Sequence, residues 1–131
     1  MKIDHIGIVV HSIPAALQVY QAALGLSLEE IANIPDQQVQ VAFLPIGDSN
    51  IELVQPTTQD SGIAKFLAKR GEGIHHICLE VDDIEATLAQ LKAHGVRLID
   101  EEPRPGAHGR VAFLPPKGAH GVLIELVQPD H

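Results

Sequence analysis

The 131-residue sequence predicts an α+β fold made of tandem βαβββ units, and three observations carry that prediction. The chain repeats itself in order. Short runs rich in Ile and Val, of strand length, alternate with capped segments of helical period. The composition, 45% hydrophobic and 20% charged, is that of an ordinary globular chain rather than a disordered or fibrous one.

The repeat is the firmest of the three. Ile3-Asp4-His5-Ile6-Gly7-Ile8-Val9-Val10 is matched 71 residues later by Ile74-His75-His76-Ile77-Cys78-Leu79-Glu80-Val81. Val41-Ala42-Phe43-Leu44-Pro45 recurs unchanged as Val111-Ala112-Phe113-Leu114-Pro115. Ile51-Glu52-Leu53-Val54-Gln55-Pro56 recurs unchanged as Ile124-Glu125-Leu126-Val127-Gln128-Pro129. We read one domain over 1–131, built of two copies at about 3–56 and 74–129 and joined by a linker.

Each copy reads as strand, helix, then three strands. Residues 3–10 form a strand apolar enough to be covered on both faces. Ser12 caps a helix that tolerates Pro14 in its first turn, with Leu17, Tyr20 and Leu24 on one face and Gly25 as its stop. In the second copy Asp83 caps, Ile84, Leu88 and Leu91 face inward, and Gly95 stops. Strands follow near 27–33, 38–45 and 50–55, then near 97–101, 110–115 and 122–128. Gly47-Asp48-Ser49-Asn50 and Lys117-Gly118-Ala119-His120-Gly121 are turns. Ile63, Phe66 and Leu67 suggest a short helix inside the linker at 57–73.

The composition also excludes partners. Nine basic against seventeen acidic side chains give a net charge of −8, which disfavours nucleic acid and anionic membranes. Three Phe, one Tyr and no Trp leave little surface for stacking bases. No apolar run reaches membrane-spanning length, and the opening residues lack the apolar stretch of a secretory signal. The lone Cys78 allows no intrachain disulfide, and a reduced cytoplasm is the simplest compartment.

Eight histidines stand out, and the repeat selects among them. His5 aligns with His76, and Glu52 with Glu125. Strand alternation puts His5, Gly7 and Val9 on the face opposite Ile6, Ile8 and Val10, whose aliphatic side should meet the helix. The same parity turns His76 away from Ile77, Leu79 and Val81, and both glutamates away from their Ile and Leu neighbours. A single strand histidine is more often a satisfied core residue than a ligand. Four metal-type residues at matched positions favour a two-His, two-carboxylate site for a divalent ion, with open positions for water or substrate.

With these residues in view, the chain resembles the vicinal oxygen chelate (glyoxalase/bleomycin resistance) superfamily over about residues 3–129, and within it most resembles the methylmalonyl-CoA epimerases. The likeness rests on Asp4-His5-Ile6-Gly7-Ile8-Val9-Val10, the Val-Ala-Phe-Leu-Pro strand, the His75-His76-Ile77 strand, the Gly106-Ala107-His108-Gly109 loop and Gly121-Val122-Leu123-Ile124-Glu125-Leu126. The resemblance implies a curved mixed sheet around a metal cleft. It implies ligands at His5, His76 and Glu125, with Glu52 at a fourth position that some members fill with Gln. It implies a cobalt-like divalent ion, with zinc, nickel or manganese equally compatible with the ligand types. It further implies epimerisation of a methylmalonyl thioester through an enolate stabilised by the metal. On this reading Glu125 and Glu52 transfer protons, and His108, Gly109 and Lys117 approach the acyl-CoA substrate. Lys117, Lys65, Arg70 and Arg104 could meet coenzyme A phosphates, although each is more readily read as an ordinary surface charge. The duplicated sheets leave edges and apolar faces that relatives bury by dimerising, so this chain is expected to form a homodimer.

Two departures go with the resemblance. Where some epimerases carry a proton-transferring Glu, this chain has Gln40, which cannot act as a base. Where many relatives have His-Pro-Lys, it has Pro115-Pro116-Lys117. A lactoylglutathione lyase would place Arg four residues after the first His and Asn four after the first Glu. Here those positions are Val9 and Pro56. A drug-sequestering resistance protein would lack the ligand set, which is complete here. His11, His94 and His131 read as solvated, and Cys78 as a small wall residue on the same face as His76.

Overall fold

The computed structural model describes residues 1–106 and 108–130, so Ala107 of the Gly-Ala-His-Gly loop and His131 lie outside the described residues. The fold class is α+β, with eight strands of mixed direction and three α-helices. The order is β1 Lys2–Val9, α1 Ile13–Leu17, β2 Glu30–Ile34, β3 Val39–Ile46, β4 Ser49–Pro56, α2 Gly62–Arg70, β5 Gly73–Glu80, α3 Ile84–Ala93, β6 Arg104–Pro105, β7 Gly109–Leu114 and β8 Leu123–Pro129. Two βαβββ sets are therefore present, with α2 in the linker where Ile63, Phe66 and Leu67 suggested it. No helix among the described residues is long and apolar enough to cross a membrane.

The chain divides into two compact units, one of Ile6–His75 and one of Met1–His5 with His76–His131. In the first, β2, β3, β4 and the later residues of β1 are neighbours in that order, with antiparallel β2–β3 and β3–β4 ladders. Its core joins Val10, Ile13 and Leu17 to Ala42, Leu44 and Leu53. In the second, the order is β1, β5, β8, β7, β6, with β5 parallel to β8 and antiparallel β6–β7 and β7–β8 ladders. Its core joins Val81, Ile84 and Leu88 to Ala112, Leu114 and Leu126. The aliphatic faces of β1 and β5 thus meet their helices, as parity required.

Local chemistry accounts for the helix ends. The Ser12 hydroxyl accepts from the Ala15 amide, and the Asp83 carboxylate from the Ala86 amide. Gly25 and Gly95 take positive φ, 82° and 74°, where a side chain would be strained.

Three expectations need correction. The first helix does not run regularly to Gly25. After Leu17 it opens into a π-helical segment, Gln18–Ala23, closed by Leu24 N–H donating to Val19 O. A π turn holds more residues than an α turn, so position 24 leaves the face of Leu17, and Leu24 is 65% exposed. The strand expected at 27–33 pairs only from Glu30. The strand expected at 97–101 is not a ladder strand; β6 is two residues long and begins at Arg104. There the Phe113 amide donates to the Asp100 side chain, while Ile99 and Asp100 amides both donate to Phe113 O. A side chain has taken the place of a backbone acceptor, and Pro103 and Pro105 remove two further donors.

Candidate metal centre

Three of the four residues selected by the repeat can be followed within one compact unit. His5 comes from β1, His76 from β5 and Glu125 from β8, and β5 and β8 are hydrogen-bonded in parallel with Cys78 opposite Glu125. His5 Nε2 lies 2.9 Å from His76 Nε2. Glu125 Oε1 lies 3.5 Å from each of those nitrogens. The side chains are 11, 14 and 16% exposed, so the group is largely withdrawn from water.

This triangle fits a divalent ion. With sides of 2.9, 3.5 and 3.5 Å, its equidistant point lies about 1.9 Å from each donor, close to the roughly 2.0–2.2 Å of first-row metal bonds. Two imidazole nitrogens and one carboxylate oxygen suit Co, Ni, Zn or Mn, and three protein ligands leave open positions.

Asp4 Oδ2 lies 2.8 Å from His5 Nδ1 and accepts its proton. The hydrogen bond from His5, opposed by burial, holds the Asp4 carboxyl below the ordinary carboxylate range. Asp4 received no role from the sequence. The signal that could have found it is a carboxylate next to a ligating histidine.

Cys78 is fully buried, and burial pushes its thiol up to about 11 against a small opposing effect from a His5 hydrogen bond. A buried, protonated thiol is a poor nucleophile, so nothing here gives Cys78 a reactive character. Its thiol does lie close enough to Asp4 and His5 to form a second group of metal-type atoms.

The remaining candidates are distributed as follows. Glu52 lies on β4 in the other unit, opposite Phe43, and is partly buried. Gln40 lies on β3 between Asn33 and Gln55. His108 is exposed, and its carbonyl accepts from the Asp130 amide. Gly109 is glycine for a packing reason, because a Cβ there would sit 2.1 Å from Gln128 O on β8. Lys117 is exposed in the turn Pro116–Gly118. Arg104 pairs with Asp100 and lies over the Phe113 ring, and Arg70 lies over Phe66. Lys65 is exposed on α2, and His11 and His94 are exposed as expected. His75 packs edge-on against Phe66, 4.8 Å between ring centres, and burial lowers its pKa.

Comparison with known proteins identifies the family of the chain. The profile of the Glyoxalase/Bleomycin resistance protein/Dioxygenase superfamily matches residues 4–114. The ethylmalonyl-CoA/methylmalonyl-CoA epimerase of Cereibacter sphaeroides is 42% identical over 97% of both chains. The mitochondrial methylmalonyl-CoA epimerase of Homo sapiens is 41% identical over 97% of this chain and 73% of its own. A solved methylmalonyl-CoA epimerase in complex with methylmalonyl-CoA and NH4+ is 41% identical, with a TM-score of 0.86 over 98% of this chain and 94% of that one. The chain therefore belongs to the glyoxalase/bleomycin resistance/dioxygenase superfamily and, within it, to the family of the methylmalonyl-CoA epimerases.

Proposed function

We propose that the protein is a divalent-metal-dependent isomerase that interconverts the 2R and 2S forms of methylmalonyl-CoA by removing and returning the α-proton. The observation that carries this reading is the convergence of His5 Nε2, His76 Nε2 and Glu125 Oε1 in a chain whose relatives are named as epimerases of that substrate. His5, His76 and Glu125 would hold the ion, and Glu52 is our fourth ligand, from its equivalence to Glu125 in the repeat. Cobalt is our first choice.

The difficulty in this reaction is the negative charge that builds on the thioester as its α-proton leaves. The ion, when bound, supplies Lewis-acid stabilisation of that charge, worth several kcal/mol. The protein's own residues supply the rest. The largely buried triangle excludes bulk water, so its charges act at low effective dielectric. Glu125 gives Oε1 to the triangle, and we assign proton transfer to its Oε2, with Glu52 or an ordered water serving the other face. A positioned carboxylate of this kind contributes roughly 10²–10⁴-fold. Gln40 takes no part as a base. His108, Gly109 and Lys117 are our candidates for contact with the acyl-CoA.

Two further elements belong to the proposal. Exposed Ile31, Ile46, Ile74 and Ile99 support a homodimer, which light scattering on the purified chain measures. The net charge and the lone cysteine support residence in the cytoplasm without nucleic-acid or membrane partners. The deciding experiment follows α-proton exchange of methylmalonyl-CoA in D2O, with and without chelator, beside the glutathione hemithioacetal of methylglyoxal. We expect rapid exchange of methylmalonyl-CoA, lost on chelation and restored by Co²⁺, and no turnover of the hemithioacetal. No exchange by metal-loaded protein removes the epimerase reading. Equal exchange after complete demetallation removes the ion.

A further inference from the structure

We propose that Asp4 is a positioning residue: its carboxylate holds His5 as the Nδ1–H tautomer and so aims the Nε2 lone pair at the point shared with His76 and Glu125. The inference deepens the metal reading above and rests on it for its consequence, though not for its geometry. Three observations carry it.

The first is the contact itself. Asp4 Oδ2 and His5 Nδ1 are 2.8 Å apart. Successive side chains on a strand point to opposite faces, so a hydrogen bond between residues 4 and 5 does not follow from strand alternation. The second is burial. His5 is 9% exposed, one of the few polar residues in the interior, and a buried imidazole needs partners for both nitrogens. Asp4 satisfies one and thereby fixes the state of the other, since a neutral ring has one donor and one acceptor. The third is the other copy. The position equivalent to Asp4 is His75, whose ring lies against Phe66. The duplication therefore keeps the ligand histidine in both copies but supplies a neighbouring carboxylate in one.

A carboxylate behind a ligating imidazole fixes the ring and raises its basicity, and its removal typically weakens metal binding 10–100-fold. The test combines a ring readout that needs no metal with a titration that does. Nitrogen-15 spectra of His5 are recorded on the metal-free full chain at a pH where its ring is neutral. Co²⁺ affinity is measured by calorimetry, and the visible Co²⁺ spectrum reports coordination geometry. Wild type is expected to carry its proton on Nδ1. Asp4→Ala is expected to give a mixture of tautomers, an altered Co²⁺ spectrum and roughly 10–100-fold weaker binding. Asp4→Asn keeps an oxygen acceptor and is expected to retain the tautomer with a smaller loss of affinity.

A wild-type His5 protonated on Nε2 overturns the proposal, and that measurement stands even if Asp4→Ala fails to fold. An Asp4→Ala protein with wild-type tautomer and wild-type Co²⁺ affinity overturns it too. Failure of the underlying metal reading looks different: wild type takes up no Co²⁺ while His5 remains Nδ1-protonated through Asp4, which upholds the orientation and removes the ion.

Discussion

The two copies are identical in register and helix anchoring but diverge at the edge of each set of strands. Phe43 faces Glu52 as Phe113 faces Glu125, Ala42 faces Leu53 as Ala112 faces Leu126, and Leu44 faces Ile51 as Leu114 faces Ile124. Six core residues correspond one to one, from Val10 and Val81 through Leu53 and Leu126. Even the helix entry is repeated: the Gln55 side chain accepts from the Ile13 amide, and Gln128 from the Ile84 amide. Beyond this frame the copies part. One helix opens into a π turn and the other stays regular. Glu30 and its successors pair with β3, whereas Asp100 interrupts the equivalent pairing with its own side chain. Close packing resists any change of volume, so positions inside a core stay matched. Edge residues and helix ends meet water and are free to differ.

The glutamate pair gives the sharpest way to break this symmetry. Glu125 and Glu52 occupy equivalent ladder positions. On the function proposed above, in which Glu125 serves both the ion and the proton, Glu125→Gln is expected to lower the D2O exchange rate by roughly 10²–10⁴-fold. Glu52→Gln keeps a carbonyl oxygen donor, which still suits a divalent ion, and is expected to fall by no more than about tenfold. Equal losses at the two positions would mean that the copies share the chemistry equally.

Stability probes the other half of the comparison. Leu44 and Leu114 are 0 and 5% exposed and sit at equivalent places in the two cores. Each Leu→Ala change should cost about 2–5 kcal/mol, measured by urea unfolding, and the two values should agree within about 1 kcal/mol. A larger gap would mean that one copy relaxes into the cavity and the other does not. Smaller effects are expected at the helix entries. Gln55→Ala or Gln128→Ala leaves a helix amide without its acceptor, at about 1–3 kcal/mol. Gln128 also accepts from Arg110, which in turn pairs with Glu85, so its loss should be the larger.

Much of this arrangement was legible in the sequence because duplication states the same information twice. His5, His76, Glu52 and Glu125 could be chosen since each has a counterpart, and strand parity assigned their face; that three of them converge within one unit is what the structure adds. The cores were legible for the same reason, as aliphatic residues at period two along β1 and β5 and at helical spacing after Ser12 and Asp83. What escaped lies where the two copies differ. Leu24 has the spacing of a core residue, and only the backbone hydrogen bond from Leu24 to Val19 turns it outward. Residues 97–101 have strand-like composition, but a short acidic side chain at position 100 competes for the ladder amide. Asp4 escaped because its contact runs along the strand, where alternation predicts none.

The smallest expected effect concerns Cys78, whose counterpart in the first copy is Gly7. The pair sits next but one after His5 and His76, so the copies differ there by one buried thiol. With its pKa pushed to about 11 and no exposed surface, the thiol stays protonated and out of reach at neutral pH. Native protein should therefore react with an aromatic disulfide reagent only as fast as it unfolds, while urea-unfolded protein reacts at once. The raised pKa also has a consequence at high pH. The unfolded thiol ionises near its ordinary 9.0 while the folded one holds its proton to about 11, so the folded state binds more protons across that interval. Stability should fall as the pH climbs from 9.0 towards 11, and Cys78→Ala should flatten that decline in a series of thermal melts. Fast modification of the native protein at neutral pH, or an unchanged alkaline decline in Cys78→Ala, would mean that the second copy is looser around its cysteine than the first is around its glycine.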